Sequence, residues 1–286
     1  MKTRTIGDVT VSAVGLGGMP LSIEGRPDDA RAVATIHAAL DAGITFIDTA
    51  DAYRLAGEDN SHNELLIAKA LKSYGGDTSG ILVATKGGHL RPEPVQGPWG
   101  QNGDPAYLKR AAEESLRNLG IDVIGLYQFH RPDPEVDYAD SVSAIRDLLD
   151  EGKIRMAGIS NANPEQIRLA QEILGGRLVS VQNQYSPAFR SSEPELELCN
   201  ELGIAFLPWS PLSGIGRAGG LGEAFAPFAE VADARGVSAQ VVALAWELAK
   251  APVVIPIPGS SRPETITDSA TAPDLVLTAE ELALLG

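Results

Sequence analysis

A short apolar run followed by a longer amphipathic one recurs eight times along this chain, and that alternation limits its fold more than any other feature. The apolar runs read as strands at Ala13–Gly17, Thr45–Asp48, Ile81–Lys86, Val123–Gln128, Arg155–Ile159, Leu178–Gln182, Ala205–Pro208 and Val253–Ile257. Continuous β-branched runs of this kind mark strands buried on both faces. Helices are predicted at Asp28–Ala42, His62–Tyr74, Pro105–Leu119, Tyr138–Glu151, Pro164–Leu174, Glu193–Leu202, Ala239–Ala249 and Pro263–Ala270. Asp104-Pro105 and Asn163-Pro164 set a capping side chain before a proline at the first helical position, and Gly43, Gly120, Gly152 and Gly203 stand where helices stop. Strands alternating with helices lie parallel, and eight such units close as a (β/α)8 TIM barrel. An open doubly wound sheet would carry a Gly-rich fingerprint after its first strand, and VGLGGMPLS lacks that spacing.

Outside the eight units, Thr3–Val14 reads as a β-hairpin turning at Gly7-Asp8, and Gly222–Arg235 and Thr278–Leu285 read as two extra helices. No domain boundary or internal repeat is visible, so residues 1–286 are read as a single domain. An apolar fraction of 44% is ample for its core. The formal net charge of -15 argues against nucleic acid or an anionic membrane as partner. Neither a signal-peptide core nor a membrane-spanning apolar run is present, and the single Cys199 excludes an internal disulfide and fits a reducing cytoplasm. Oligomeric state is not legible.

Polar residues stand at the ends of three successive strands. Asp48 closes TFID, Tyr53 follows it in TADAY, Lys86 closes ILVATK and His130 closes IGLYQFH. Singly, each has an ordinary reading: a helix cap for Asp48, a snorkelling lysine, a pocket aromatic, a histidine near a helix start. Joined to GISN, SVQNQYS, LPWSPL and IPIPGSSRPE, they make the chain resemble the aldo-keto reductases from about Val11 to Leu285, with every motif in order.

The resemblance implies a barrel plugged at its N-terminal end by the hairpin, and reversible reduction of aldehydes and ketones to alcohols. Nothing in the chain supplies a hydride, so a bound cofactor must. Tyr53 would be the general acid, Lys86 its activator, Asp48 the anchor of Lys86, and His130 the group that orients and polarises the carbonyl. An ammonium about 4 Å from the phenol contributes roughly 4 kcal/mol at an effective dielectric of about 20. Unopposed, that lowers a tyrosine by about three pH units. One departure from the family pattern is Arg54, where a glycine is common, with a longer loop on to Asn63-Glu64.

For the cofactor, the resemblance implies side-chain contacts from Ser160, Asn161 and Gln182 to a carboxamide, and stacking of Trp209 on the nicotinamide; Trp209 could instead fill the barrel mouth. Gly18, Met19 and Asp48 face the same mouth. Ser210, Pro211, Leu212, Ser213 and Gly214 can offer hydroxyls and backbone donors to a pyrophosphate. Gly259, Ser260 and Arg262 precede a helix start and suit the ribose phosphate of NADP, with Thr265 and Ser269 where other members carry Gln and Asn, so NADPH should be preferred over NADH. Met19, Tyr53, Trp99 and His130 are the expected substrate wall, although Trp99 reads equally as packing down the Gly87–Gly103 loop, a functional-loop candidate. His62 and His89 make no metal-ligand spacing with His130. Two rivals remain: a non-catalytic nicotinamide-binding module like the potassium-channel β subunits, and a barrel isomerase or aldolase forming a Schiff base at Lys86.

Overall fold

The computed structural model describes residues 1–58, 61–91 and 98–286. The chain opens with an antiparallel hairpin of β1 (Thr3–Ile6) and β2 (Val9–Ser12), in which Ile6 faces Val9 and Gly7 takes the turn at φ +57°. The strands that follow are β3 (Leu16–Gly17), β4 (Phe46–Asp48), β5 (Leu82–Gly87), β6 (His89–Leu90), β7 (Gly100–Gln101), β8 (Ile124–Phe129), β9 (Ile154–Ser160), β10 (Leu178–Gln182) and β11 (Ala205–Phe206). Seven of them form one parallel sheet in the order β11-β10-β9-β8-β5-β4-β3, while β6 and β7 pair with each other.

Helices return the chain between strands: α1 (Asp29–Asp41), α2 (His62–Ser73), α3 (Pro105–Leu119), α4 (Tyr138–Asp150), α5 (Pro164–Ile173), α6 (Glu193–Leu202), α7 (Leu221–Ala224), α8 (Ala226–Arg235), α9 (Ala239–Lys250), α10 (Pro263–Ser269) and α11 (Ala279–Leu285). Their starts are built as the sequence suggests. The Asp104 carboxylate accepts from the Tyr107 amide at 2.8 Å, and Asn163 and Gln166 form a reciprocal capping box at 2.9 and 3.0 Å. The helix expected over Gly222–Arg235 is broken at Phe225, which leaves helical geometry at φ −133°, ψ 82°. Pro227 causes the break, because it lacks an N–H and its ring clashes with the carbonyl four residues back.

The expected eighth strand, Val253–Ile257, is not a regular strand, yet its segment joins both sheet edges. The amides of Ile255 and Ile257 donate to the carbonyls of Phe206 and Pro208 at 2.9 and 3.3 Å. On the other side, Gly15 and Gly17 donate to the carbonyls of Pro256 and Pro258 at 2.9 and 3.0 Å. Alternate residues along this segment should donate toward β3, and those residues are the two prolines, so that ladder loses its donors and keeps only acceptors. The backbones meet closely here: a Cβ on Gly17 would lie 2.7 Å from the Ile257 carbonyl oxygen. This arrangement is consistent with a closed (β/α)8 barrel.

Inside the curled sheet, Phe46, Leu82, Leu126, Met156 and Leu207 pack with Ile6 and Val11 of the hairpin. Larger apolar layers lie between sheet and helices. Cys199 is buried there, its thiol pushed up to about 12 by burial and then by Glu195. No helix among the described residues is long and apolar enough to cross a membrane.

Glu247 of α9 is an outlier in this core. It is fully buried, and neither carboxyl oxygen has a hydrogen-bond partner among the described residues. Burial drives its carboxyl well above the usual range. A carboxyl with a raised folded-state value stabilises fully below its unfolded value of about 4.3 and loses that contribution as pH climbs toward the folded value. Glu247→Met removes the unmet polar group while keeping chain length. It should stabilise the protein at pH 7 by about 1–3 kcal/mol, with a smaller gain at pH 4. Denaturant unfolding at both pH values checks this; a loss of stability at pH 7 would show that Glu247 has a compensating partner.

Candidate active site

Register brings the polar strand ends together. β4 pairs with β5 so that Asp48 lies beside Ala84, and Lys86, two residues on, points to the same side of the sheet as Ala84. Lys86 is 0% exposed, and its Nζ donates to Asp48 Oδ2 and to the Thr49 carbonyl, both at 2.7 Å. Asp48 Oδ1 accepts from Gln182 Nε2 at 2.8 Å and from Gln128 Nε2 at 3.3 Å. Burial pulls Lys86 toward its neutral form. The Asp48 carboxylate, and Tyr53 after it, more than offset that, and the ammonium is held above its ordinary value.

Tyr53 is 7% exposed, with Lys86 Nζ 5.1 Å from its ring centroid and the His130 ring edge-on at 5.8 Å and 80°. Its phenol titrates above, not below, the ordinary tyrosine value. Burial is the largest cause, and the downward pull of Lys86 does not overcome it. This corrects the expectation from charge alone, which omitted desolvation. His130 is held well below the usual imidazole range by burial, then by Lys86, and is neutral at physiological pH. Its backbone amide donates to the Gly87 carbonyl at 2.9 Å, and its buried Nδ1 has no partner among the described residues.

A cavity of about 440 Å³ opens over these groups. One wall is the β6–β7 hairpin. His89 packs edge-on against His130 at 4.8 Å and tilted against Trp99 at 4.7 Å; Arg91 covers Trp99 at 4.5 Å and is ion-paired to Glu24. Trp99 thus both lines the cavity and holds its hairpin down. Part of the Gly87–Gly103 loop, residues 92–97, lies outside the described residues, as do residues 59–60 of the loop before Asn63. Burial, then Arg131, depresses His89 to about 4.

The rest of the lining includes most of the residues singled out for a cofactor. Met19, Ser160, Asn161, Gln182, Trp209, Ser210, Pro211, Leu212, Gly214 and Gly259 line the cavity. Trp209 Nε1 donates to Asn161 Oδ1 at 3.2 Å, and Asn161 Nδ2 donates to the His130 carbonyl at 3.0 Å and to Ser160 Oγ at 2.9 Å. Asn161, Ser210 and Ser213 all have positive φ, at 57°, 52° and 68°, a concentration of strained backbone typical of functional sites. Ser213 is next to the lining residue Gly214, and its buried hydroxyl is unpartnered among the described residues. Gly18 is likewise next to the lining residue Met19; its amide donates to the Asp48 carbonyl at 2.8 Å, and a Cβ there would strike Asn63 Oδ1.

Of the group near α10, Gly259 lines the cavity and Ser260, Arg262, Thr265 and Ser269 do not. Ser260 Oγ donates to the Arg262 carbonyl at 2.8 Å and contacts the Thr265 hydroxyl, and Ser269 Oγ donates back to the Thr265 carbonyl at 3.0 Å. Arg262 is exposed at the helix start, and its guanidinium has no partner among the described residues.

Several residues of the cavity and of the polar cluster around it escaped the reading of the sequence. Gln128 was findable, since it lies two residues before His130 and faces the same way. His89, Gln101 and Arg131 line the cavity through the hairpin and the turn after β8, for which the sequence carried no signal beyond loop composition. Asp51 was also missed; it has one buried oxygen without a partner and a carboxyl pushed well up by burial and then by Glu64.

Comparison with known proteins agrees with this geometry. The model of the Aldo/keto reductase family matches residues 13–285. An uncharacterized oxidoreductase of Schizosaccharomyces pombe is 35% identical over 287 residues, covering 99% of this chain and 88% of the relative. A 6-dehydroglucose reductase of Novosphingobium aromaticivorans is 35% identical over 274 residues, covering 92% and 87%. Among solved structures, an aldo/keto reductase from Klebsiella pneumoniae in complex with NADP and acetate superposes with a TM-score of 0.81 at 28% identity, covering 99% of this chain and 94% of that one. With one family model spanning nearly its whole length and relatives matched over most of theirs, the chain belongs to the aldo/keto reductase family.

Proposed function

We propose that the chain is an NADP-dependent oxidoreductase that reversibly reduces aldehydes or ketones to alcohols, built as one (β/α)8 domain over residues 1–286 with the hairpin plugging its base and α7, α8 and α11 added to it. The observation that carries the reading is the buried Lys86–Asp48 pair, 2.7 Å apart, set beneath Tyr53 and beside a neutral His130 at the floor of the cavity. The NADP bound to the Klebsiella pneumoniae structure supports the choice of cofactor, as does the oxidoreductase naming of the curated relatives. A lone buried Cys199 fits a cytoplasmic setting.

The residues present fit a nicotinamide dinucleotide. A flat indole, Trp209, shares the cavity lining with the hydroxyl and amides of Ser160, Asn161 and Gln182; the unmet Ser213 hydroxyl and the turn through Gly214 suit a pyrophosphate, and Arg262 suits a ribose phosphate. When bound in its reduced form, the cofactor supplies the hydride. Tyr53 gives its phenolic proton to the carbonyl oxygen as negative charge develops there, and Lys86 stabilises the phenolate left behind. Asp48 keeps Lys86 charged. His130, neutral, donates a hydrogen bond to the same oxygen and orients it. Met19 and Trp99 bound the carbonyl's substituents.

A raised phenol stays protonated through the neutral range, which is the form that reduction needs. Reduction should therefore hold level from about pH 6 to 9 and fall only on the alkaline side, because neither histidine beside the reacting atoms titrates near its ordinary value. Tyr53→Phe should lower kcat by about 10²–10⁴ while NADPH affinity barely changes. Steady-state rates across pH, with NADPH binding followed by fluorescence, check both. Near-wild-type turnover in the phenylalanine variant would dismiss Tyr53 as the acid.

The cofactor preference rests on fewer contacts. Ser260 and Thr265 are occupied with each other and with the Arg262 carbonyl, so Arg262 is the main group left for a phosphate. One charged hydrogen-bonding partner is worth about one to two decades in affinity, so NADPH should be preferred over NADH by about ten- to a hundredfold. Arg262→Ala should remove most of that preference by weakening NADPH alone, as equilibrium titration of both cofactors would show. Equal losses for the two would make Arg262 structural.

A further inference from the structure

The charges facing the cavity do not balance. Among the described residues that line it, Asp48 and Arg131 carry formal charge at neutral pH. Asp48 is met by Lys86 at 2.7 Å. Arg131 is met by nothing: it makes no ion pair or side-chain hydrogen bond among the described residues, and its Nε is buried without a partner. The nearest acid along the chain is committed elsewhere. Asp133 accepts from the Gly103 amide at 2.8 Å through Oδ2 and from the Glu135 amide at 3.0 Å through Oδ1. Arg91, the neighbouring cation on the hairpin, is already paired with Glu24. In a protein of net charge -15, an uncompensated arginine in the lining of the pocket stands out.

Its position favours a substrate over the cofactor. Arg131 directly follows His130 and lines the cavity together with His89, Trp99 and Gln101, around the groups that would meet a carbonyl. The electrostatic influence of Arg131 reaches both His89 and His130, lowering each, and Tyr53 acts on Arg131 in turn. An anion held there lies beside the groups that would handle the carbonyl.

We propose that Arg131 determines substrate class, and that the preferred substrates are carbonyl compounds bearing a carboxylate, docked on the Arg131 guanidinium while the carbonyl oxygen meets Tyr53 and His130. The proposal rests on the reading above that the chain reduces carbonyl groups. A planar guanidinium presents paired N–H donors that match both oxygens of a carboxylate. One unpaired cation balances one negative charge, which a carboxylate carries and a phosphate monoester exceeds. Partial burial strengthens the pairing relative to water.

A matched pair of substrates tests it: succinate semialdehyde and its methyl ester, each reduced with NADPH at about 0.15 M ionic strength, where the Debye length of about 8 Å screens repulsion from the acidic surface. The wild-type ratio of kcat/KM, acid over ester, should be about ten to a hundred and lie mainly in KM. Arg131→Met should bring the ratio toward one, and Arg131→Lys should keep part of it. Because the ratio is internal to each variant, loss of folded protein does not imitate the effect. Calorimetric titration with succinate should show binding to wild type that Arg131→Met loses. A wild-type ratio near one, a ratio unchanged by Arg131→Met, or equal succinate binding by both proteins would overturn the proposal. If wild type reduced neither aldehyde while still binding succinate through Arg131, the reductase reading would fail and the carboxylate site would stand.

Discussion

An ammonium with no exposed surface, held 2.7 Å from a carboxylate, is the interaction on which the rest of the site depends. Left alone in that environment Lys86 would lose its proton, because burying an unpaired charge is far costlier than neutralising it. Asp48 prevents this, and is itself held by the side-chain amides of Gln182 and Gln128 from strands farther round the sheet. The pair thus ties β4, β5, β8 and β10 together at one end. Such pairs contribute little net stability compared with apolar packing, yet removing one member leaves the other uncompensated and is strongly destabilising. Their value lies in a fixed charge at a fixed place.

That charge does not act alone on Tyr53. Lys86 pulls the phenol down and burial pushes it up, and burial is the larger effect. A site devoted only to making phenolate would be arranged otherwise. Here the phenol is kept protonated, which fits the proposed role of Tyr53 as the acid in carbonyl reduction. The same desolvation keeps His89 and His130 neutral, so a pocket lined by two imidazoles, with Lys86 buried beside it and paired to Asp48, has its unpaired positive charge at Arg131.

Periodicity carried most of the architecture. The strands around Asp48, Lys86 and His130 were legible because buried parallel strands are continuous apolar runs, and the helix starts because Asp104-Pro105 and Asn163-Pro164 are local signals. Where local and tertiary demands diverge, the reading slipped. Val253–Ile257 has the composition of a strand, but Pro256 and Pro258 remove the donors that would make it a regular one. Gly222–Arg235 has helical content, but Pro227 divides it. In the site, residues carried by strand ends were visible, while those carried by a turn or a short hairpin, Arg131 and His89, were not. The direction of the Tyr53 shift was also invisible, since desolvation depends on burial that only the assembled fold supplies. Gln182 stands where expected, though its amide is engaged with Asp48.

A double-mutant cycle at Asp48 and Lys86 tests the dependence most directly. The unfolding free energies of Asp48→Asn, Lys86→Met and the double variant would be measured by denaturant titration. Each single change should cost about 3–5 kcal/mol, and the double variant should be more stable than the sum of the two losses predicts by at least about 2 kcal/mol, because no buried charge is left unpaired. Losses that simply add, within about 0.5 kcal/mol, would show that Lys86 keeps its charge without Asp48 and would contradict the account.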